Sequence, residues 1–468
     1  MTDVPKPAAA ALSKAGVEFL SSAYRARFLI IMFLVATFNF ADRAVFAAVA
    51  QTVKRDLLLT DGQLGALQGI AFAALYAVLG IPVGWLAERR RRLTIVTVCL
   101  GFWSVMTALC GSAGNFLQLW AARSGVGVGE AGFMSPVTSL VSDHFPRERR
   151  ASAMSIVMLG TPVGTLLGAV AGGWIAQHYG WRTAFVAVGL PGIAIAALIA
   201  LMLREPSRGL ADGAPPPTDP APPFRHIWGV IARKPALLFV LIGGTLAQFG
   251  LTSISQFMAP FLGRTYHLPI GEAATLYGVV SAIAIASGLL LGAFGSDRAG
   301  RFDLRWSAWA PVIGLTCATP LYQIAFRQPG LWGAVGFLIA GGMSLLCYYG
   351  PTLAMLQNMV GPRMRASIAA LYGMFYSLIG LGLGPTFTGF ASERFARASF
   401  RLGDFTTACP GGAAPKGAPE ALAQACRQAS ALGLQQALTT ATLIFVVAAV
   451  FYGLASRTYR ADIHQTEA

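Results

Sequence analysis

Long unbroken apolar runs constrain this chain more than any other feature. A helix that crosses a bilayer needs about 20 mostly apolar residues. Runs of that kind recur along nearly the whole sequence: 27–53, 62–87, 93–112, 115–142, 151–178, 183–203, 235–262, 270–295, 304–326, 331–358, 366–392 and 433–456. A membrane barrel would instead show short alternating segments. The expected class is therefore an all-α membrane protein with twelve transmembrane helices. Composition points the same way: 12% of residues are charged and 55% hydrophobic, against roughly 25% charged in a soluble domain. Disorder and an ordinary soluble globule are both excluded. The 53 glycines have no collagen-like period, and six cysteines in this length make no disulfide scaffold. The first apolar run is too long for a secretory signal.

Lysine and arginine concentrate in alternate connections, including the N-terminal segment and the run Arg89 to Arg92. Basic connections stay on the cytoplasmic side, so both termini are expected there. The net charge of +15 then reports topology rather than affinity for nucleic acid. Residues 393–432 form a long outer loop in this reading, with Pro419–Leu432 a helix-like segment at the outer surface. Segment 209–223, GLADGAPPPTDPAPP, is a polar, proline-rich spacer. It divides the chain into a six-helix bundle over 1–208, a cytoplasmic linker over 209–234 and a second six-helix bundle over 235–468.

The halves resemble each other weakly. Glu88-Arg89-Arg90-Arg91-Arg92 follows the second span, and Asp297-Arg298-Ala299-Gly300-Arg301 follows the eighth. The fifth span carries Gly160-Thr161-Pro162-Val163-Gly164; the eleventh carries Gly380, Gly382, Gly384 and Pro385. Matching interrupted helices in two halves mark repeat-built secondary transporters, with substrate bound between the halves at the midplane.

These loops resemble the acidic-Arg-x-Gly-Arg signature of the major facilitator superfamily, with Glu88 and Arg91 as departures from it. Arg123-Ser124-Gly125-Val126-Gly127 resembles that superfamily's fourth-helix signature, and the fifth span resembles its antiporter motif with Thr161 where glycine is usual. Asn39-Phe-Ala-Asp42-Arg43, the run Arg123 to Ala131, Thr161 to Gly164 and Arg204 to Gly209 together resemble the Spinster branch. That resemblance implies a lysolipid or sphingoid-like substrate. Proton-coupled organic-anion symporters of the same superfamily share a similar Asn-aromatic-x-Asp-Arg and Gly-Glu-Ala, which implies a small organic anion instead.

A charge near the bilayer centre costs about 2.5–3.5 kcal/mol even on the lenient insertion scale, and so marks a functional candidate. Asp42, Arg43, Arg123 and Glu130 are the clear cases. At ~1.5 Å per residue, Asp42 lies roughly 21 Å along the first span and Glu130 roughly 18 Å from the cytoplasmic end of the fourth. Arg123, Gly127 and Glu130 share a helix face. Asp42 and Arg43 are about 100° apart around their helix and cannot both address one spot. Asn39 is placed to hydrogen-bond either. A buried carboxylate prefers its neutral form unless a cation is close, so Asp42 and Glu130 are candidate proton carriers, with Arg43 and Arg123 as ion-pair partners or substrate-anion ligands. The competing reading is a fixed ion-pair network that sets helix packing.

The second half carries no charge in the middle turns of spans 7, 8, 10 and 11. It offers Gln248, Gln256, Tyr277, Tyr348, Tyr349, Tyr372 and Tyr376. These form either an aromatic pocket wall suited to an amphipathic substrate or a set of bonds between helices. Gly160, Gly164, Gly168 and Gly172 repeat at four-residue spacing, a pattern that lets helices approach closely. In spans 5 and 11 such stripes are expected to pack the halves together, either as packing alone or as a sliding gate that includes Gly160, Pro162 and Gly164, with Pro162 and Pro385 as bends. Glu88, Arg89, Arg92, Asp297, Arg298 and Arg301 are expected to form acid-to-arginine latches at the inner surface.

Other signals carry no function. Gly127-Val-Gly129-Glu-Ala-Gly132 matches G-x-G-x-x-G but has no preceding strand. No phosphate-binding loop and no H-E-x-x-H is present, so neither an enzyme, a cofactor nor a metal site is expected. The partners expected are membrane lipid, a small-molecule or lipid substrate and protons, with no nucleic acid, and the working unit is expected to be a monomer. Cys409 and Cys426 bracket a polar stretch of the outer loop, either as a disulfide or as two free thiols.

Overall fold

Each apolar run folds as helix, and the polar residues between runs end it. The computed structural model describes residues 21–211, 225–300, 303, 305–360 and 364–467. Helix α1 is Ser22–Asp56, with the Ser21 hydroxyl accepting from the Tyr24 N–H at 3.3 Å. Helix α2 is Asp61–Gln68 continued by Ile70–Arg89; Thr60 and Gln63 close a capping box at its start. Next come α3, Arg92–Cys110, and α4, Phe116–Glu130 continued by Met134–His144. Then follow α5, Arg147–Met158 with Gly160–Tyr179, and α6, Trp181–Met202.

The second half repeats this order. Helix α7 is Pro235–Ser255 with Met258–Thr265, α8 is Ile270–Gly300 and α9 is Trp306–Arg327. Helix α10 is Leu331–Leu346 with Tyr349–Asn358. Helix α11 runs as Arg365–Phe375, a π-helical stretch Tyr376–Leu383, and Gly384–Ser399. Helix α12 is Glu420–Ala441 with Leu443–Glu467. The short helix Arg225–Arg233 precedes α7; residues 212–224 of the proline-rich spacer lie outside the described residues.

Among the described residues, ten helices are long and apolar enough to cross a membrane. The expected spans 115–142 and 304–326 are helical but are not among the ten. Helix α4 is interrupted at Ala131–Phe133 and carries Arg123 and Glu130; α9 is diluted by Pro311, Pro320 and Gln323. The expected outer loop 393–432 is corrected at both ends. Helix α11 continues to Ser399 and α12 begins at Glu420. Those turns are helix-forming but polar, so hydropathy alone cut them off.

Glycine sets how the rods meet. A Cβ at Gly164 would collide with the Thr37 carbonyl, and at Gly160 and Gly168 with Ala36 and Ala41 of α1. The Gly160–Gly172 stripe therefore packs α5 on α1 within the first half, not on the second half as the sequence suggested. The half-to-half seam of α5 is its neighbouring face, where Gly173 meets Ala274 and Ala169 meets Gly278 of α8. In α11 the expectation is met in part. Gly382 faces Ala73 and Ile70 of α2 and Gly389 faces Asp61, whereas Gly380 and Gly384 face Gln248 and Phe249 of α7. Pro162 lies just past a break at Leu159, in the first turn of the second segment, where its missing N–H removes little.

These seams lie at one end of the bundle, the end that carries Asp56 and Asp61, here called the far end. Toward the other end, the near end, Gly80 of α2 has open space beside it and Gly84 touches only Ser135 of α4. Gly164→Val should cost about 1–3 kcal/mol by overpacking against the α1 backbone. Thermal unfolding in detergent reads this as a clear drop in Tm; an unchanged Tm would show that the α1–α5 approach is not tight.

Candidate functional site

The four intramembrane charges separate into two sets. Arg43 donates to Glu130 through Nε at 2.7 Å and through its terminal nitrogen at 2.6 Å to the same oxygen. Asp42, one residue earlier, turns away, and its Oδ2 accepts from the Thr107 hydroxyl of α3 at 3.2 Å. This is the divergence that helical geometry demands of adjacent residues. Asn39 lies beside Glu130; the sequence had offered it to Asp42 or Arg43. Asp42 Oδ1, Glu130 Oε1 and Arg123 Nε are buried without a hydrogen bond of good geometry.

Aromatic faces surround the cations. The Arg43 guanidinium is 4.7 Å from the Phe72 ring centre and 5.4 Å from those of Phe40 and Tyr76. That of Arg123 is 4.7 Å from Phe46 and 5.4 Å from Phe72. Phe72 thus stands between the two cations, and each gains cation–π attraction where water is scarce. Asp42, Glu130 and Arg123 are at most 4% exposed, while the Arg43 side chain keeps 19%. Of the four, Arg43 is the least buried.

Facing this wall, the second half presents tyrosines. Ring centres lie 6.2 Å apart for Tyr348–Tyr349, 6.3 Å for Tyr349–Tyr376 and 5.6 Å for Tyr372–Tyr376. Tyr376 interacts electrostatically with Arg43 and Tyr76, and Tyr349 with Tyr76, so the ladder reaches the charged wall. Tyr348 donates to Gln248 Oε1 at 2.9 Å. Gln256 ends the first segment of α7 and is half-buried, and Tyr277 is buried in α8. The π-helical stretch begins at Tyr376 itself. Hydroxyls of α7 hold it: Thr252 donates to the Gly380 carbonyl at 2.6 Å and Ser253 to that of Gly384 at 2.9 Å. Such stretches free backbone carbonyls and recur at functional sites.

Sequence reasoning missed a second buried charge cluster at the far end. Asp61 accepts from Lys54 at 2.8 Å, from two Arg264 nitrogens at 2.8 and 2.7 Å, and from the Ser392 hydroxyl at 2.8 Å. Gln51 accepts from Arg264 Nε at 2.8 Å, and Glu393 accepts from the Gly62 N–H at 3.3 Å. Lys54 and Asp61 belong to the first half, Arg264 and Ser392 to the second. The predicted spans ended just short of Lys54, Asp61 and Arg264, so these counted as solvated loop charges. No local pattern separates a charge at a span end from one buried between two span ends.

At the near end, Arg92 is 1% exposed and is tied within its own half. It bonds Glu205 at 2.9 Å, Ser139 at 2.8 Å, Asp143 and the Pro206 carbonyl. The sequence had offered Arg92 to an inner latch; here Asp143 and Glu205 take up its guanidinium. Arg89 lies 3.6 Å over the Trp85 ring, and Arg298 is exposed. The side chains of Glu88 and Asp297, and the whole of Arg301, lie outside the described residues. Cys409 and Cys426 are bonded to each other, with Cα atoms 5.7 Å apart. No metal-binding group of His, Cys, Asp and Glu occurs among the described residues.

Known proteins resemble this chain in sequence and fold. The profile of the Major Facilitator Superfamily matches residues 32–385. An MFS-type efflux pump of Mycolicibacterium smegmatis is 30% identical over 363 residues, 78% of this chain and 83% of its own. Protein spinster homolog 1 of Rattus norvegicus is 26% identical over 401 residues, 81% of this chain and 75% of its own. A bacterial homologue of the human lysosomal transporter Spinster has been solved inward-facing, both unoccupied and occupied. It matches with a TM-score of 0.84 and 33% identity, covering 94% of this chain and 99% of the other.

Removing one partner of a buried pair strands the other and costs about 3–5 kcal/mol. Arg43→Ala should therefore lower Tm more than the double change Arg43→Ala/Glu130→Ala. A double variant less stable than the single one would mean that the pair does not neutralise a buried charge.

Proposed function

The chain belongs to the major facilitator superfamily, in its Spinster branch, and from that premise we propose that it is a proton-coupled secondary transporter working by alternating access on a lysolipid or sphingoid-like substrate. It is a multi-pass protein of the bacterial inner membrane, and its relatives are transporters, not enzymes. The observation that carries the reading is the Arg43–Glu130 pair, its arginine partly exposed, facing the Tyr349–Tyr376 ladder of the opposite half. A charged wall against an aromatic wall suits a solute with an ionic head and an apolar tail.

In this reading all twelve predicted spans cross the membrane, α4 and α9 included, as two six-helix bundles with both termini in the cytoplasm. The far end is the outer side, and its disulfide suits an oxidising compartment. The outer side is shut by the Asp61–Arg264 pair and the α2–α11 and α5–α8 seams, a closure of the kind an inward-facing transporter needs. The substrate anion competes with Glu130 for Arg43. A carboxylate that loses its cation in a dry site takes a proton, and the cation's return expels it. Glu130 cycles in this way, and Asp42, held by a neutral hydroxyl rather than a cation, is the second proton carrier. Arg123 holds the local charge balance. The protein acts as a monomer and needs no cofactor.

A proton-coupled symporter of a small organic anion is the alternative, favoured by Arg43 as a single reachable guanidinium that a carboxylate can engage. Flux into proteoliposomes across lysolipid and organic-acid panels separates the two. Asp42→Asn should reduce pH-driven uptake by about tenfold or more, the scale set by losing one proton-transfer group. Wild-type uptake in Asp42→Asn would remove Asp42 from the coupling.

A further inference from the structure

Residues 400–419 join α11 to α12 at the far end and have a small core of their own. Phe400 and Phe405 pack edge to face with ring centres 5.6 Å apart. With Cys409, Cys426, Ala396 and Ala429 they form an apolar cluster separate from the main one. The Asp404 carboxylate caps the turn that follows, accepting from the Thr407 N–H at 3.0 Å. Cys409 is then bonded to Cys426 on α12.

The next turn, Pro410–Gly412, leaves this cluster and rests on the last turn of α1, in the other half of the chain. A Cβ on Gly411 would meet the Lys54 carbonyl at 3.3 Å and the Leu58 Cα at 3.5 Å; one on Gly412 would meet Lys54 Nζ at 2.6 Å. Both glycines have positive φ, 65° and 81°, which glycine adopts at little cost. Lys54 is the lysine bonded to Asp61. On the other side of the same cluster, the Ser430 carbonyl of α12 accepts from Arg264 at 3.5 Å. The loop therefore covers the far-end ion pairs, rooted in one half and seated on the other.

We propose that residues 400–419 are a disulfide-braced lid that holds the far end of the transporter shut. The proposal rests on the alternating-access reading. Opening the far end must carry α1 and α2 away from α7 and α11. The turn cannot follow α1, because Cys409 is fixed to α12; its contacts with Lys54 and Leu58 must break. With the disulfide absent, the turn is held only by flexible chain, stays with α1 more easily and opposes opening less.

The test is electron–electron double resonance between non-reducible spin labels at Tyr179→Cys and Trp332→Cys. These far-end positions are 65% and 75% exposed and lie in opposite halves. The background replaces Cys99, Cys110, Cys317 and Cys347 with serine and keeps the disulfide. Cys409→Ser/Cys426→Ser should raise the long-distance, open population about threefold or more over this background, a measurable shift for a two-state equilibrium. Gly411→Val, which keeps the disulfide but unseats the turn, should do the same. Arg264→Gln is the control for the gate itself. If Arg264→Gln opens the far end and neither loop variant does, the lid is overturned while alternating access stands. If no variant gives an open population at any pH, the alternating-access reading falls and the lid with it.

Discussion

An ion taken out of water must find its counter-ion or lose its charge, and that constraint shapes this protein at three depths. At the far end Asp61 gathers Lys54, Arg264 and Ser392. Midway, Glu130 holds Arg43. At the near end Arg92 is met by Glu205 and Asp143. Bare desolvation of either member of such a pair costs several kcal/mol, so each pair fixes the helices that bear it. They differ in what they join. The near-end set lies within the first half, and so does the middle pair. Only the far-end set spans the halves, so relative motion of the halves must break it while it can leave the other two intact.

The helices are interrupted where the proposed rocking of the halves would need them to give. Gly69 breaks α2 beside Gly382, and the π-helical stretch of α11 begins at Tyr376 and contains Gly382. A regular helix has few ways to re-aim one side chain without moving all the others. A break or a widened turn relaxes that constraint for Tyr376, beside Arg43. Thr252 satisfies a carbonyl on the widened stretch and Ser253 one just past its end, so the irregularity leaves fewer buried acceptors unpaired.

The helical class and most of the helix positions were legible because hydropathy reports burial in lipid directly. The Glu130 side chain was singled out for the same reason, since a charge inside an apolar run needs a partner whether it works or only sets packing. Asp61 and Arg264 were not legible. They stand at span ends, where charges are ordinary, and they become a buried cluster only when ends from opposite halves meet. The Gly160–Gly172 stripe was legible as a close contact but not as a contact with α1. A stripe states that some helix comes near; which one is decided by the arrangement of all the others. The polar turns Glu393–Ser399 were lost to the loop because helical propensity without hydropathy leaves no mark in a search for spans; Glu420–Leu432 was legible as helix but not as the start of the last span.

The unequal treatment of the two halves follows from the same physics. The first half bears two cations and two carboxylates whose formal charges cancel, so the site is neutral only while every member stays in place. The second half bears tyrosines and Gln248, which are neutral in any arrangement. At the site, a wall of charge opposite a wall of neutral hydroxyls would let the proposed rocking proceed without breaking an ion pair there; of the three sets, the far-end one alone has a pair to break. A solute anion entering beside Arg43 adds one charge to a balanced set. In the proposed proton-coupled reading, a proton taken up with that anion by Glu130 or Asp42 cancels it and keeps the dry site neutral.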